Sequence, residues 1–280
     1  MEFKTLKNFD VEELLSVFNL SFSDYVVPFH LTRELLNFKI ATEKIDLSLS
    51  VGAFEDDKLV GFILQAEKME NGEGMVYNAG TGVVPEARGK GLVRKMYDFI
   101  IPVLKERNSN TLVLEVIDEN QKAIRAYENL GFTIVRKLLC FNGNISSIEN
   151  NSEIIIKELT DFQWEKFRSF QDIEPSWQGS DFVLKDMKKD CTILGAFKGE
   201  KLVGYTIYNS IVRKIYQVAV DKNHRKQGIA AMLFDAIKNN INGQTVSLNN
   251  VDEISVDTSS FLNKMGLENK VSQFEMKREI

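Results

Sequence analysis

Cysteine, histidine and proline are scarce in this chain: 280 residues contain two Cys, two His and four Pro. Two cysteines, neither in a CxxC pair, exclude a disulfide framework, and so few histidines argue against a histidine-built metal site. We therefore expect no bound metal.

No stretch approaches the ~20 consecutive apolar residues of a membrane span, and the segment Met1–Lys4 lacks the apolar core of a signal peptide. A cytoplasmic protein is expected.

Net charge and composition further limit the kinds of protein that this chain can be. The formal net charge is −5, which does not favour nonspecific nucleic-acid binding. A hydrophobic fraction of 44%, with nineteen Phe, excludes disorder. The length permits one large domain or two ordinary ones.

An internal repeat decides between those two. Residues 52–61 (GAFEDDKLVG) match residues 195–204 (GAFKGEKLVG) at seven of ten positions, a displacement of 143. Three shorter matches follow the same order: 6–9 with 159–162, 88–92 with 225–229, and 130–132 with 265–267. The repeat predicts two duplicated domains, 1–142 and 152–280, joined by the Asn- and Ser-rich segment Asn142–Ser152.

Within each half, strands and helices are interleaved. This pattern predicts a mixed sheet covered by helices. One strand is expected over Leu47–Phe54, and a long helix is expected from Gly91 onward, with Pro102 predicting a bend or an early end.

The loop that opens this helix contains Arg88, Gly89, Lys90 and Gly91. A helix N-terminus carries unpaired N–H groups and the positive end of the dipole, so a glycine-rich entry can hold a phosphate closely. Alternatively, the glycines only shape a turn and the basic residues form a solvated face. The second copy, residues 220–230, aligns without a gap and contains Arg225, Gly228 and Ala230.

Two motifs carry a family resemblance. Residues 88–93 and 225–230 are similar to the Gln/Arg-x-x-Gly-x-Gly/Ala loop of the GCN5-related N-acetyltransferase (GNAT) family, although Val93 replaces a small residue in the first copy. About thirty residues downstream, Asn120–Phe132 resembles the family's Asn-x-x-Ala-x-x-x-Tyr-x-x-x-Gly-Phe signature.

The resemblance implies an α/β (α+β) chain of two tandem GNAT-like domains, each a mixed, mostly antiparallel sheet flanked by helices. It implies acetyl-CoA as cosubstrate and an amine of a small molecule or peptide as acceptor. The main chain of Val83 and the side chain of Asn120 would hold the pantetheine arm. The expected cofactor-binding loop residues are Arg88, Gly89, Lys90, Gly91, Leu92 and Val93 in the first half, and Arg225, Gly228 and Ala230 in the second.

Tyr127 occupies the family's general-acid position and also lies near the cofactor. With an ordinary pKa of ~10, a tyrosine stays protonated at neutral pH and can protonate a departing thiolate of pKa ~8.5. Spacing alone also allows Tyr127 to be a packing residue. The aligned residue in the second half is Leu262, which cannot donate a proton. We expect catalysis in the first half.

Acceptor selection is expected to involve Tyr25 and Phe29, between the first two helices, and Asn78 and Thr81 on the strand before the loop. The sequence identifies no general base, since Asp24 and Glu67 read as surface charges. Two alternatives stay open: catalysis in the second half with Tyr205 or Tyr216 as proton donor, and a noncatalytic acyl-CoA sensor or interaction module.

Overall fold

The computed structural model describes residues 1–25, 30–147 and 153–280. The chain divides into two compact units, and each contains its own set of paired strands and its own core. We call Met1–Val135 with Phe274–Ile280 the N-terminal unit, and Arg136–Gln273 the C-terminal unit.

The N-terminal unit places five of its strands side by side. The strands and helices of this half of the chain are β1 (Glu2–Thr5), α1 (Val11–Ser21), α2 (Arg33–Thr42), β2 (Val51–Glu55), β3 (Lys58–Glu70), β4 (Glu73–Val83), α3 (Leu92–Glu106), β5 (Ser109–Ile117), α4 (Gln121–Glu128) and β6 (Thr133–Gly143), of which only the first residues belong to this unit. The sheet order is β1-β2-β3-β4-β5, antiparallel except for the parallel pair β4 and β5. Residues 274–280, at the end of the chain, lie next to β5 in this unit. There, Ile280 N–H donates to the carbonyl of Asn110 at 2.8 Å.

The C-terminal unit repeats this arrangement. Its elements are the rest of β6, then β7 (Ile154–Glu158), α5 (Trp164–Phe170), α6 (Asp181–Leu184), β8 (Thr192–Lys198), β9 (Lys201–Asn209), β10 (Lys214–Val220), α7 (Ile229–Asn240), β11 (Val246–Asp252), α8 (Val256–Lys264) and the first part of β12 (Leu267–Glu279). The order is β7-β8-β9-β10-β11-β6-β12, with β10 and β11 parallel. The strands of each unit pair in a mixed, mostly antiparallel pattern and are flanked by helices, which confirms the predicted fold class.

The units divide the chain differently from the sequence repeat. The predicted joint, Asn142–Ser152, begins inside β6, which continues to Gly143, and its last residues, 148–152, lie outside the described part of the chain. The boundary at 142–152 therefore stays a prediction about the duplication.

Two local predictions were wrong. The strand expected from Leu47 begins only at Val51, because Asp46 holds residues 48–50 in a turn: its carboxylate accepts from Ser48 N–H at 2.7 Å and its carbonyl from Ser50 N–H at 2.9 Å. The early helix end expected at Pro102 was also wrong, because α3 continues through Pro102 to Glu106, whereas a bend at Pro102 stays a prediction. Pro102 is exposed, so water can satisfy the carbonyl that loses its partner there.

In each unit, one cluster of buried apolar residues lies between the strands and the long helix that follows the glycine loop. In the N-terminal unit, Met96, Ile100 and Leu104 of α3 pack against the strand residues Val76 and Leu114. In the C-terminal unit, Leu233, Phe234 and Ile237 of α7 pack against Ile215 and Leu248.

No helix among the described residues is long and apolar enough to cross a membrane. The same part of the chain contains no cluster of His, Cys, Asp and Glu suited to a metal ion.

Candidate functional site

The strands β4 and β5 separate partway along the N-terminal sheet. Their parallel pairing ends at Asn78 opposite Leu114, although β4 continues to Val83 and β5 to Ile117. Next to this point, Ala79 is an extra residue in the pairing of β4 with β3, which is a β-bulge. A bulge shifts the side-chain alternation by one residue, so Asn78 and Thr81 lie on the same face, towards α3.

A buried polar cluster occupies that face. The Asn78 amide donates to Thr81 Oγ1 at 2.7 Å and to the Tyr97 hydroxyl at 2.8 Å, and its Oδ1 accepts from Gly80 N–H at 2.9 Å. Tyr97, on α3, is fully buried. The two predicted acceptor residues Asn78 and Thr81 are thus brought together, with the Asn78 amide held by protein groups.

Tyr127 joins this cluster from α4. The Asn120 side chain caps the helix by accepting from Ala123 N–H at 3.1 Å, and the Tyr127 ring packs edge-on against Phe132 at 5.6 Å between centroids. Burial raises the pKa of Tyr127, and this effect outweighs hydrogen bonding to Thr81, which lowers it. Tyr127 therefore stays protonated at neutral pH, as a proton donor must. Burial raises the pKa of Tyr97 well above its ordinary value, and the negative charge of an ionised Tyr127 would raise it further.

The glycine loop forms the predicted entry to α3. Gly91 is the residue before the helix, with φ +68°, and no side chain caps the first turn. Gly89 is also left-handed, at φ +77°, and the space where a Cβ would stand is open at both glycines. Leu92 is buried in the core and Val93 packs against it, so these two residues anchor the helix. Lys90 lies outward, with Nζ 3.3 Å from the carboxylate of Glu55.

Arg88 is turned away from the helix start. Its Nε donates to the carbonyl of Val83 at 3.1 Å, Nη2 donates to the carbonyl of Ser21 at 3.0 Å, and both terminal nitrogens bind Asp24, at 2.6 and 2.8 Å. The side chain therefore joins the end of β4, the end of α1 and the segment after α1. This geometry supports a positioning role for the guanidinium, with the main chain of the loop as its anion-binding part.

The environments of Asp24 and Glu67 do not favour either carboxylate as a general base. The hydrogen bond from Arg88 lowers the pKa of Asp24. Burial alone would raise the pKa of Glu67, but hydrogen bonds from Arg107 and Ser109 outweigh it and lower that pKa.

The segment between α1 and α2 is described only in part. Tyr25 packs edge-on against Phe22 at 5.1 Å and contributes to the pKa of Tyr127, so it lies on the site side of α1. Phe29, the other predicted acceptor residue, lies outside the described residues.

The C-terminal unit has the same loop. Gly228 precedes α7 with φ +80°, again without a side-chain cap, and Ala230 in the first turn is half-buried. Arg225 repeats the contacts of Arg88: Nε to the carbonyl of Val220 at 3.1 Å, Nη2 to that of Phe170 at 3.0 Å, and Nη1 to Asp172 at 2.6 Å.

A large groove runs along this second loop. Its volume is about 1270 Å³, and Gly228, Ala230, Tyr216 and Asn249 are among the residues that line it. At the position of Tyr127 stands Leu262, which is fully buried. Leu262 is not among the residues that line the groove, and no hydroxyl stands there at the position that corresponds to Tyr127.

A comparison with protein families decides the classification. The acetyltransferase (GNAT) family model matches residues 14–132 and 156–252, which is most of the chain and one copy in each half. The chain belongs to the GNAT family.

Individual relatives of this GNAT chain agree with that assignment. A stretch of 87 residues is 30% identical to N-alpha-acetyltransferase 30 of Schizosaccharomyces pombe, covering 31% of this chain and 58% of that protein. The chain thus spans somewhat more than half the length of this curated relative.

Solved structures resemble the whole chain. A tandem GNAT protein from the clavulanic acid biosynthesis pathway, solved without acetyl-CoA, aligns with a TM-score of 0.74 over 99% of this chain and 98% of its own, at 12% identity. A GCN5-related N-acetyltransferase from Sphaerobacter thermophilus aligns with a TM-score of 0.74 over 99% and 95%, at 16% identity. At these identities the similarity shows the fold, and the tandem arrangement with it.

GNAT membership supports acetyl transfer as the general activity, and proteins of this fold typically use acetyl-CoA. The residues present fit that cosubstrate. Both glycine loops offer uncapped helix starts with open space in front of them, at Gly91 and at Gly228. In the N-terminal unit, the gap between β4 and β5 has Tyr127 beside it, and an acetyl thioester bound there would supply the electrophile.

Sequence reasoning missed three polar residues near the candidate site. Tyr97 lies next to Met96, inside the apolar stripe of α3, and its position there was the available signal. Tyr77 and Glu115 lie on neighbouring strands, where the Tyr77 hydroxyl donates to Glu115 Oε2 at 2.8 Å. No local pattern in the sequence pairs residues 38 positions apart.

Proposed function

We propose that this chain transfers acetyl from acetyl-CoA to a primary amine of a small molecule or peptide, by direct attack of the amine in a ternary complex. Catalysis takes place in the N-terminal unit. The observation that carries the proposal is the buried cluster of Tyr127, Asn78, Thr81 and Tyr97 beside the gap between β4 and β5.

Each part of the site has a task in this reaction. The main chain at Gly89 and Gly91 binds the pyrophosphate at the start of α3. The main chain of Val83 and the region of Asn120 guide the pantetheine arm. N–H groups of β4 near the bulge stabilise the oxyanion, and Tyr127 protonates the departing thiolate. Tyr25 and Phe29 contribute to the acceptor side.

The test is turnover with a panel of alkyl amines and short peptides bearing a free N-terminus. Release of free thiol from acetyl-CoA is followed, together with calorimetric binding of acetyl-CoA. We expect thiol release that depends on the amine. Binding without any thiol release across the panel would instead support a noncatalytic acyl-CoA sensor.

A second candidate places catalysis in the C-terminal unit, and the groove of about 1270 Å³ favours it. Tyr216 lines that groove and would be the proton donor. Tyr205 is a weaker choice, because its hydroxyl is buried, accepts from Gln171 at 2.7 Å and donates to Gln217 at 2.7 Å. This candidate predicts that Tyr216→Phe abolishes turnover while Tyr127→Phe leaves it intact. The first candidate predicts the reverse.

A further inference from the structure

Amide and hydroxyl groups line part of the groove in the C-terminal unit. Its volume of about 1270 Å³ exceeds the roughly 300–1,000 Å³ of a usual ligand pocket, so it has room for more than the ligand of the glycine loop. Val218 and Leu248 pack towards α7, so the neighbouring side chains of β10 and β11 point to the opposite face. The side chains that line the groove on that face are Gln171, Tyr205, Gln217 and Asn249, which we call the amide face.

Three side chains of the amide face hold one another in place. The Tyr205 hydroxyl donates to Gln217 Oε1 at 2.7 Å, and the Gln171 amide donates to the Tyr205 oxygen at 2.7 Å and to Gln217 Oε1 at 3.1 Å. The Gln217 amide donates to the carbonyl of Gly179 at 2.5 Å. The Tyr205 ring stacks on Phe167 with 3.9 Å between centroids. These contacts fix the side chains before any ligand arrives.

The network leaves specific hydrogen-bonding groups unused. A carboxamide has two N–H donors and one carbonyl acceptor. Both N–H groups of Gln171 are used, whereas its Oε1 accepts from no group in the described part of the chain. One N–H of Gln217 is left over, and the Asn249 amide bonds to none of the described residues. Free donors and free acceptors thus lie side by side, which suits a ligand group that does both, as a hydroxyl does.

The four side chains of the amide face are uncharged. Burial raises the pKa of Tyr205, so its hydroxyl stays neutral and keeps donating. Charged residues that line the same groove bind protein groups: Arg136 lies 3.5 Å from Asp252, and Lys214 donates to Gln178 at 2.7 Å. An uncharged ligand therefore matches this face better than an ion does.

The N-terminal unit has apolar groups at corresponding places. Phe62 stands at the position of Tyr205 and Phe22 at that of Gln171, and both rings pack against Phe18. The duplicated fold therefore does not need the amide face. Since polar groups cost free energy to bury unless they are hydrogen-bonded, a ligand that uses the free donors and acceptors gives a physical reason for them.

We propose that the amide face binds an uncharged polyhydroxylated ring, of the kind found in sugars and cyclitols. The ring hydroxyls donate to Gln171 Oε1 and bond to the free amide groups of Gln217 and Asn249. Tyr216, which also lines the groove, offers an aromatic surface to the C–H groups of the ring. A rigid ring carries several hydroxyls in fixed directions, so it loses less conformational entropy on binding than a flexible chain. This binding goes beyond the proposed function, because it needs no acetyl transfer in either unit.

The test titrates the full-length protein with four six-membered-ring probes, followed by saturation-transfer NMR. The probes are myo-inositol, cyclohexanol, cyclohexylammonium and cyclohexanecarboxylate. We expect myo-inositol to bind at least about tenfold more tightly than each of the other three, because they lack most of the hydroxyls that bond to the amide face. Absence of saturation transfer from myo-inositol, or equal binding of either charged probe, would overturn the proposal.

Three variants locate the binding site. Asn249→Leu and Gln217→Met should each weaken myo-inositol binding about tenfold. Asn249→Leu should leave Tm unchanged, because the amide that it removes bonds to none of the described residues. Gln244→Leu removes an exposed amide of the same unit that does not line the groove, and it should keep the affinity within about twofold.

The variants also separate this proposal from the proposed function. Unchanged myo-inositol affinity in Asn249→Leu would place the ring elsewhere and overturn the amide face as its site. The titration contains no acetyl-CoA, so a wild-type protein that releases no thiol with any amine contradicts the proposed function and leaves this proposal standing.

Discussion

The two units differ most at four corresponding positions on the core face of the sheet. Tyr97, Asn78, Thr81 and Tyr127 form the polar cluster of the N-terminal unit. Their counterparts in the C-terminal unit are Phe234, Ile215, Val218 and Leu262, all apolar, and all but Val218 are fully buried.

The opposite face shows the reverse pattern. In the C-terminal unit, Tyr205, Gln171 and Gln217 form a hydrogen-bonded cluster there. The corresponding residues of the N-terminal unit are Phe62, Phe22 and Gly80, and the rings of Phe62 and Phe22 both pack against Phe18.

The parts that the units share are the loop proposed to bind an anion and the features that shape the strands. Both have the left-handed glycine before the long helix, the arginine that spans strand and helix ends, and the bulge beside the strand gap. At these four positions, one scaffold therefore carries hydroxyl and amide groups in the N-terminal unit and apolar side chains in the C-terminal unit. This difference leads us to expect chemistry in the N-terminal unit and binding without turnover in the C-terminal groove.

The largest expected effect comes from the position where the units differ chemically. Tyr127→Phe removes the hydroxyl and keeps the ring packed against Phe132. We expect kcat to fall by about 10²-fold or more, with little change in acetyl-CoA affinity, because a general acid acts in the transition state. Steady-state kinetics with thiol detection measures kcat, and calorimetry measures the affinity.

The matched control for this change is Leu262→Met in the C-terminal unit. It alters the corresponding buried position at nearly constant volume and should leave turnover within about twofold of wild type. If Tyr127→Phe turns over normally, the hydroxyl has no part in the mechanism and the comparison between the units loses its functional meaning.

The sequence repeat predicted much of this comparison. It identified two copies of one fold, because the matched hairpins at 52–61 and 195–204 need glycine for the same reason. A Cβ on Gly52 would stand 2.8 Å from Leu59, and one on Gly195 would stand 2.8 Å from Leu202. The loop and the contrast between Tyr127 and Leu262 were also visible in sequence.

The rest depends on contacts between distant residues. The cofactor-binding role of Arg88 stays a prediction. Its pairing with Asp24, 64 positions away, could not be read from the sequence. The same holds for the bond of Tyr97 to Asn78 and that of Tyr77 to Glu115. Residues 274–280 belong to the N-terminal unit, although they lie at the end of the second half of the sequence. Local hydrophobic periodicity could not predict this, because the pattern of a strand does not depend on which strand it pairs with.

A smaller effect is expected at the arginine that both units share. Arg88→Ala removes the link between Ser21, Asp24 and the end of β4, so the glycine loop loses its support. We expect acetyl-CoA affinity for the N-terminal unit to weaken about tenfold, with a smaller effect on kcat. Calorimetric titration of the full-length variant measures this change.

The corresponding change, Arg225→Ala, sharpens the assignment of the units. It should leave kcat unchanged, and it should weaken only binding that belongs to the C-terminal groove. Should Arg225→Ala abolish turnover while Arg88→Ala does not, the catalytic unit has been assigned the wrong way round. Asp24→Asn provides an independent check, since it should reproduce part of the Arg88→Ala effect if the ion pair positions the loop.

The smallest expected effect is the response of wild-type turnover to alkaline pH. An acid catalyst must be protonated, and burial raises the pKa of Tyr127 above its ordinary value. A phenol of ordinary pKa is about nine-tenths protonated at pH 9, so a raised pKa leaves more of it protonated. We therefore expect no fall in kcat between about pH 7 and pH 9, while the neutral fraction of the amine grows. A fall in kcat with a midpoint below pH 9, in protein that circular dichroism shows to be folded, would contradict Tyr127 as the acid. The decline belongs above pH 10, because only there does the protonated form that supplies the proton disappear.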